Sequence, residues 1–364
     1  MKAQDILKDL VAINTIADNN NDKIMDYCEN FLAKYGFTAK RLVNKESGKQ
    51  VLICEYGDDP ALAFLGHTDT VDITDGWVTD PFTLTDKGDG MLYGLGACDM
   101  KGGLACAMQA ISETDLKSLK HGLKMYFTYD EEIMFMGIHD LVDSKEKFPP
   151  HSIVCEPSCM GPGTWSKGLL EIIFTFNGVT THSSTPIEGK SSNKNAVRFL
   201  NKMMDFELSL REETKDCYDI PYATMNIGIV DGGTSINKVP AKTTVYLDFR
   251  IVDSESQYDR IIKTINENLD WACGGDKSLY SYEIINDIPS FYNDDSIIAK
   301  MMREECGVPE SLLNGITEAS FFEGDRVIFG PGPMTAHEKN EHVSIADLEK
   351  VAEVYKKAID MICK

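Results

Sequence analysis

Long apolar runs are missing from this chain of 364 residues. None approaches the roughly 18 to 20 residues that a helix needs to cross a bilayer, so a membrane partner is not expected. Basic charge is scarce as well: 36 lysines and arginines face 58 acidic residues, a formal net charge of -22. That balance repels phosphate backbones and anionic lipid, which argues against nucleic acid as a partner. It could draw in cations or a cationic substrate, although a solvated acidic surface is the plainer account. A disulfide framework is also lacking. The ten cysteines are scattered through a chain too long to need stapling, which points to a reducing cytoplasm. The opening MKAQDILKDLVAIN mixes charged and apolar residues at helical spacing and has no apolar core of the kind a secretion signal carries, in keeping with a cytoplasmic location. Internal repeats and low-complexity segments are absent too.

The length exceeds what one hydrophobic core usually organises, so two domains are expected. In the first half, helical and strand patterns alternate: QVLICEYG, ALAFLGH, LKMYFTYDEE and SIVCEPS read as strands, with a helix through LACAMQAIS and another near 137–144. Such alternation implies an α/β sheet with substantial parallel pairing, and these sheets bind ligands at the carboxyl ends of their strands. From about residue 168 the order becomes β-α-β-β-α-β, the ferredoxin-like split sandwich. Strand and helix then alternate again to an amphipathic helix at 344–362. The expected organisation is a discontinuous α/β catalytic domain, 1–167 and 288–364, with a mixed, largely parallel sheet, interrupted by a smaller α+β domain at 168–287.

Polar residues collect at the expected strand ends: His67 and Asp69, Asp99 after YGLGACDMKGG, Asp130, Glu131 and Glu132, and Glu156, with His337 downstream. One histidine at such a place is ordinary. Two histidines with a set of carboxylates, all projected to one edge by a parallel sheet, suit a metal site. His67 and Asp69 are two apart and share a face of a strand, so Asp69 can steady the imidazole or a general base. Glu131 and Glu132 would face oppositely in a strand and can serve one site only if the strand ends there. One of them could then bind metal while the other handles protons. GLGACDMKGG fits neither phosphate-loop pattern, because an acid stands where the third glycine belongs. Its glycines suit a tight turn that presents Asp99.

These segments, together with GWVTDPF (76–82), EPS (156–158) and GPG with AHEKNEH (330–342), resemble the M20 family of co-catalytic zinc amidohydrolases and peptidases over nearly the whole chain. The resemblance implies a zinc-exopeptidase-like catalytic domain with two divalent ions, Zn²⁺ in the first place and Co²⁺ or Mn²⁺ as alternatives. Asp99 would bridge them, His67 and Glu156 completing one site and Glu132 and His337 the other. Glu131 would be the general base and Asp69 its supporting carboxylate. The inserted domain would be the lid and homodimerisation domain, with His182 in GVTTHSSTP reaching the partner's site to stabilise an oxyanion. The stretches at 225–250 and 312–332 resemble the acetylornithine deacetylase branch, notably Thr317-Glu318-Ala319. On that likeness Asn237, Arg250, Thr317 and Glu318 would bind substrate, Arg250 through a bidentate fork to a carboxylate. An ion pair of Arg250 with Asp248 is an equal reading.

The expected reaction is thus hydrolysis of the amide of an N-acyl amino acid, N-acetylornithine first. A dipeptidase, an aminoacylase or a succinyl-diaminopimelate desuccinylase is the alternative, and a non-catalytic metabolite-binding member is the alternative of another class. Cys98, Cys155 and Cys159 lack a second pair for a structural zinc site and read as buried apolar filler. His121, His139, His151 and His342 fall outside the motifs.

Overall fold

The strand Gly122–Thr128 is buried along its whole length, and Pro60–His67 from Leu62 onward. Strands covered on both faces need no polar alternation, which is why these segments are almost continuously apolar. They lie at the centre of a six-stranded sheet ordered Thr38–Val43, Gln50–Tyr56, Gly122–Thr128, Pro60–His67, His151–Val154, Asp325–Ile328. The last four run parallel, while Thr38–Val43 and Gln50–Tyr56 are antiparallel to their neighbours. The sheet belongs to a computed structural model that describes residues 1–17, 19–293, 295–311 and 315–364. The start of the 312–332 motif lies outside the described residues.

Helices Ala3–Val11, Lys101–Ser112 and Ile345–Cys363 pack together over this sheet in one apolar core. Lys101–Ser112 is buried from Lys101 through Ile111. Its paired glycines permit that depth: a side chain on Gly103 would come within 1.9 Å of the Cys155 carbonyl oxygen, and one on Gly102 within 2.4 Å of that of Ala97.

The chain divides into two compact units. One comprises Met1–Thr164, Tyr292–Leu313 and Thr317–Lys364, the other Trp165–Phe291 with Asn314–Ile316. The second unit follows the order β-α-β-β-α-β, with strands Gly168–Asn177, Thr224–Gly232, Lys242–Ile251 and Tyr280–Ile288 and helices Ser192–Leu210 and Ser254–Ala272. Its four strands are antiparallel, in the order Thr224–Gly232, Lys242–Ile251, Gly168–Asn177, Tyr280–Ile288. Here burial alternates residue by residue along Lys242–Ile251 and, from Leu170 onward, along Gly168–Asn177, because one face packs on the two helices and the other does not. Among the described residues no helix is long and apolar enough to cross a membrane.

Candidate metal centre

The parallel strands end nearly level. His67, last in its strand, pairs with Thr128, last in the next, and Leu65 pairs with Val154. Whatever follows those strands is therefore delivered to one edge. The strand carrying His67 stops there, so Asp69 sits just beyond it rather than within it, yet both turn to the same place. His67 Nδ1 lies 3.1 Å from the carbonyl oxygen of Asp69 and 3.4 Å from its Oδ1. A carbonyl only accepts, so Nδ1 carries the hydrogen and Nε2 is the nitrogen left to bind.

That nitrogen stands 3.1 Å from Asp99 Oδ1 and 3.6 Å from Glu156 Oε1. Across the site, His337 Nε2 is 2.8 Å from Glu132 Oε2 and 3.7 Å from Asp99 Oδ2. Asp99 thus turns one oxygen toward each imidazole. Glu131 and Glu132 sit in the first turn of a short helix, Glu131–Met134, which begins earlier than the sequence suggested. The left-handed backbone of Asp130 (φ 52°) makes the abrupt change of direction, and the Lys49 ammonium, bound to the Asp130 carboxylate and the Ala17 carbonyl, holds it. The Glu132 amide donates to Asp69 Oδ2 at 3.2 Å, so Asp69 steadies both His67 and the helix start.

Two sets of donor atoms, His67 with Glu131 and Glu156, and His67 with Asp99 and Glu132, each lie within 4.8 Å of one another. The charges are unbalanced. Among the described residues no lysine or arginine reaches ion-pair distance of Asp99, Glu131, Glu132 or Glu156. Burial pushes the Glu131 and Glu156 carboxyls well above the usual range, and neighbouring carboxylates add to the shift while His67 opposes it. Burial would lower the His67 imidazole, but Glu156, Asp69 and Asp99 outweigh it and raise it well above its ordinary value. Carboxylates and imidazoles crowded in this way, without a fixed cation, match the donor chemistry of divalent transition metals. A cavity of about 380 Å³ lined by Ile16, Thr70, Asp72, Glu132, Ile133 and His337 opens beside them. A larger one, about 560 Å³, lies in the second unit and touches none of these donors.

Residues 63–361 match Peptidase family M20/M25/M40. The chain belongs to this family. The M20 chain is 30% identical to an acetylornithine deacetylase of Pasteurella multocida (95% of this chain, 92% of the relative). It is 29% identical to one of Myxococcus xanthus (98% and 96%). Among solved structures it is similar to a tripeptidase of Staphylococcus aureus (TM-score 0.77, 21% identity, 99% and 98% covered). A dinuclear metal-binding M20 peptidase of Bacillus subtilis has the same fold (TM-score 0.70, 15% identity, 99% and 97%).

Other residues singled out in the M20 chain meet different fates. Thr317 is buried, and its hydroxyl caps the turn Glu318–Phe321 by accepting from the Ala319 amide at 3.2 Å. Glu318 is 1% exposed, and neither carboxylate oxygen finds a hydrogen-bond partner among the described residues. Burial pushes it up to about 7, against the electrostatic pull of His67. In the second unit, Arg250 Nε and Nη2 each reach an Asp248 oxygen at 3.0 Å, which realises the ion-pair reading. Nδ1 of His182 accepts from the Ser184 amide at 3.2 Å, leaving Nε2 as the donor, and the Ser183 amide ties this loop to the Asn237 carbonyl at 3.0 Å. Cys98 and Cys155 are buried as filler should be, but Cys159 is exposed, because it lies in the turn after Glu156 with φ 51°. The sequence reading missed Glu341 and Lys49. Both stand among ordinary surface-type charges, and only their burial, 2% and 8% exposed, sets them apart.

Proposed function

We propose that this M20 chain hydrolyses the amide bond of an N-acyl amino acid, with N-acetylornithine as first substrate and ornithine and acetate as products. The convergence of His67, Asp99, Glu131, Glu132, Glu156 and His337 at one sheet edge carries the reading, and the similarity to acetylornithine deacetylases supports N-acetylornithine as the substrate to try first. His67 and Glu156 would hold one divalent ion, Glu132 and His337 the other, and Asp99 both, Zn²⁺ being the first choice. Bound ions of this kind polarise a carbonyl oxygen and bring the pKa of a water down to roughly 7.

Glu131 does the proton work. Its carboxylate makes no hydrogen bond among the described residues, and its raised proton affinity suits a group that takes a proton from the attacking water and returns it to the leaving nitrogen. Asp69 keeps the His67 ring and the helix bearing Glu131 and Glu132 in place. Glu318, buried with no hydrogen-bond partner for its carboxylate among the described residues, is suited to a substrate ammonium. Asn237 and Arg250 are proposed to bind the substrate carboxylate, Arg250 with the part of its fork not taken by Asp248. The second unit is proposed as lid and dimerisation domain, with the His182 Nε2–H as oxyanion donor to a second copy.

The test is amine release from N-acetylornithine, N-succinyl-diaminopimelate, N-acetylmethionine and a dipeptide by protein loaded with Zn²⁺ or Co²⁺. Dominant turnover of N-acetylornithine is expected. Preference for another member of the panel would keep the amidohydrolase and discard this substrate, and metal-loaded protein inert on all four would overturn the catalytic reading.

A further inference from the structure

Glu341 is a buried carboxylate around which a loop is wound. Its Oε2 accepts from the Gly96 amide at 2.8 Å, and its Oε1 from the amides of Cys98 and Asp99 at 2.8 and 2.9 Å. Its own carbonyl takes the Gly94 amide at 3.0 Å. Gly96 (φ 77°) makes the curl possible, since a side chain there would come within 2.7 Å of Thr70 Cγ2. Three convergent backbone amides on one carboxylate form a strong, charge-assisted clamp.

The clamp joins two donor-bearing segments. One end is the backbone of Asp99, and the other is a residue 242 positions later in the chain and four after His337. The segment between is closed on itself, because the Thr335 hydroxyl donates to the His342 carbonyl at 2.7 Å and accepts the His342 amide at 3.1 Å. His342–Ser344 then pairs with Met91–Tyr93, which leads into the Asp99 loop. The distances from Asp99 Oδ1 to His67 and from Oδ2 to His337 depend on where this loop is held, and Glu341 is the side chain that holds it.

We propose that Glu341 is a positioning residue of the metal centre, fixing the Asp99 backbone so that its two oxygens face His67 and His337 at once. This rests on the reading that Asp99 and His337 hold metal. Carboxylates that orient metal ligands typically change metal affinity by about 10- to 100-fold when altered. The effect of losing Glu341 should therefore appear in metal binding before it appears in chemistry.

The experiment titrates metal-free full-length protein with Co²⁺, following heat and the visible Co²⁺ absorption, for wild type, Glu341→Gln, Glu341→Ala and a control, Asp325→Asn. Asp325 is likewise a hydrogen-bonded carboxylate, partly buried and bound to His151 and Asn293 away from the donors. Glu341→Gln keeps an acceptor for two amides at most and guards against an alanine variant that does not fold. Expected is a Kd raised about 10-fold or more in Glu341→Gln, a changed Co²⁺ spectrum, and a turnover that recovers to within a few-fold of wild type in excess metal. The control should lose thermal stability and keep both affinity and spectrum. A folded Glu341→Gln with wild-type affinity and spectrum overturns the proposal while leaving the metal reading intact. A wild type that binds no Co²⁺ overturns both.

Discussion

Two buried charge clusters share the strand Gly122–Thr128, and they are built on opposite plans. Near its start, Lys124 is 7% exposed and paired with Glu146 and Glu55, and Lys40 lies 3.5 Å from Glu146, so the charges cancel. Beyond its end, Glu131, Glu132 and Glu156 crowd against Asp99 with only two imidazoles between them. A protein can bury charge cheaply only by pairing it. The first cluster is complete as it stands, whereas the second has an excess of acidic donors of the kind that suits a cation from outside the chain. Burial of charge alone therefore does not mark a functional site; the imbalance does.

The sharpest way to break the second cluster is to remove one donor at a time. On the proposed assignment Asp99→Ala takes a ligand from both halves, and metal content measured after dialysis should fall together with activity. If Glu131 is the proposed proton carrier, Glu131→Gln should keep metal and lose about 10² to 10⁴ in turnover, because the proposed ligands remain. Near-normal turnover in Glu131→Gln would reassign the base.

The first cluster should answer differently. Lys124→Met leaves Glu146, whose side chain is 11% exposed, with only the largely exposed Lys40 at 3.5 Å among the described residues, and breaking a buried pair from one side costs about 3 to 5 kcal/mol at most. Chemical denaturation should show a loss near the lower figure, with metal affinity unchanged. Equal stability would mean that the cluster is wetter than its burial indicates.

The same imbalance predicts a pH response in metal-free protein. Glu318 is pushed up to about 7, mainly by burial, from an ordinary value of 4.5. A carboxyl that holds its proton more tightly when folded stabilises the fold fully below its unfolded pKa, and that contribution is lost as pH rises through the folded value. His67, raised by its carboxylate neighbours, works in the same direction. The melting temperature of the metal-free protein should thus fall between about pH 4.5 and 7. Metal should restore it, by about 2.7 kcal/mol at 100 times Kd. Glu318→Gln should flatten part of the slope, and an unchanged slope would mean that Glu318 is solvated or paired.

How much of this was legible follows from the same physics. Parallel strands covered on both faces announce themselves as apolar runs, and their carboxyl ends are where side chains such as His67 and Glu156 must gather. The sequence therefore pointed to the edge. It could not show that the helix after Thr128 begins at Glu131, because that depends on Asp130 adopting a left-handed backbone under the hold of Lys49. Nor could it show that Thr317 caps the turn that follows, a role set by the direction of one amide. Glu341 looked like one more acid in AHEKNEH, since nothing local distinguishes a carboxylate that binds its own neighbours from one that binds amides 242 positions away.

The smallest effect separates the two uses of Arg250, which belongs to neither cluster. Its side chain is 41% exposed and its bond to Asp248 is bidentate, a geometry worth about 0 to 1 kcal/mol at a protein surface. If the pair is only structural, Asp248→Asn and Arg250→Lys should each shift stability by no more than that and leave KM alone. If Asp248 instead aims the guanidinium at a substrate carboxylate, both variants should raise KM with kcat little changed. Arg250→Lys should do so more strongly, because an ammonium cannot reproduce the planar fork. Steady-state kinetics on the preferred substrate therefore distinguish a surface ion pair from a binding residue held ready by one, although the two look identical in the unbound protein.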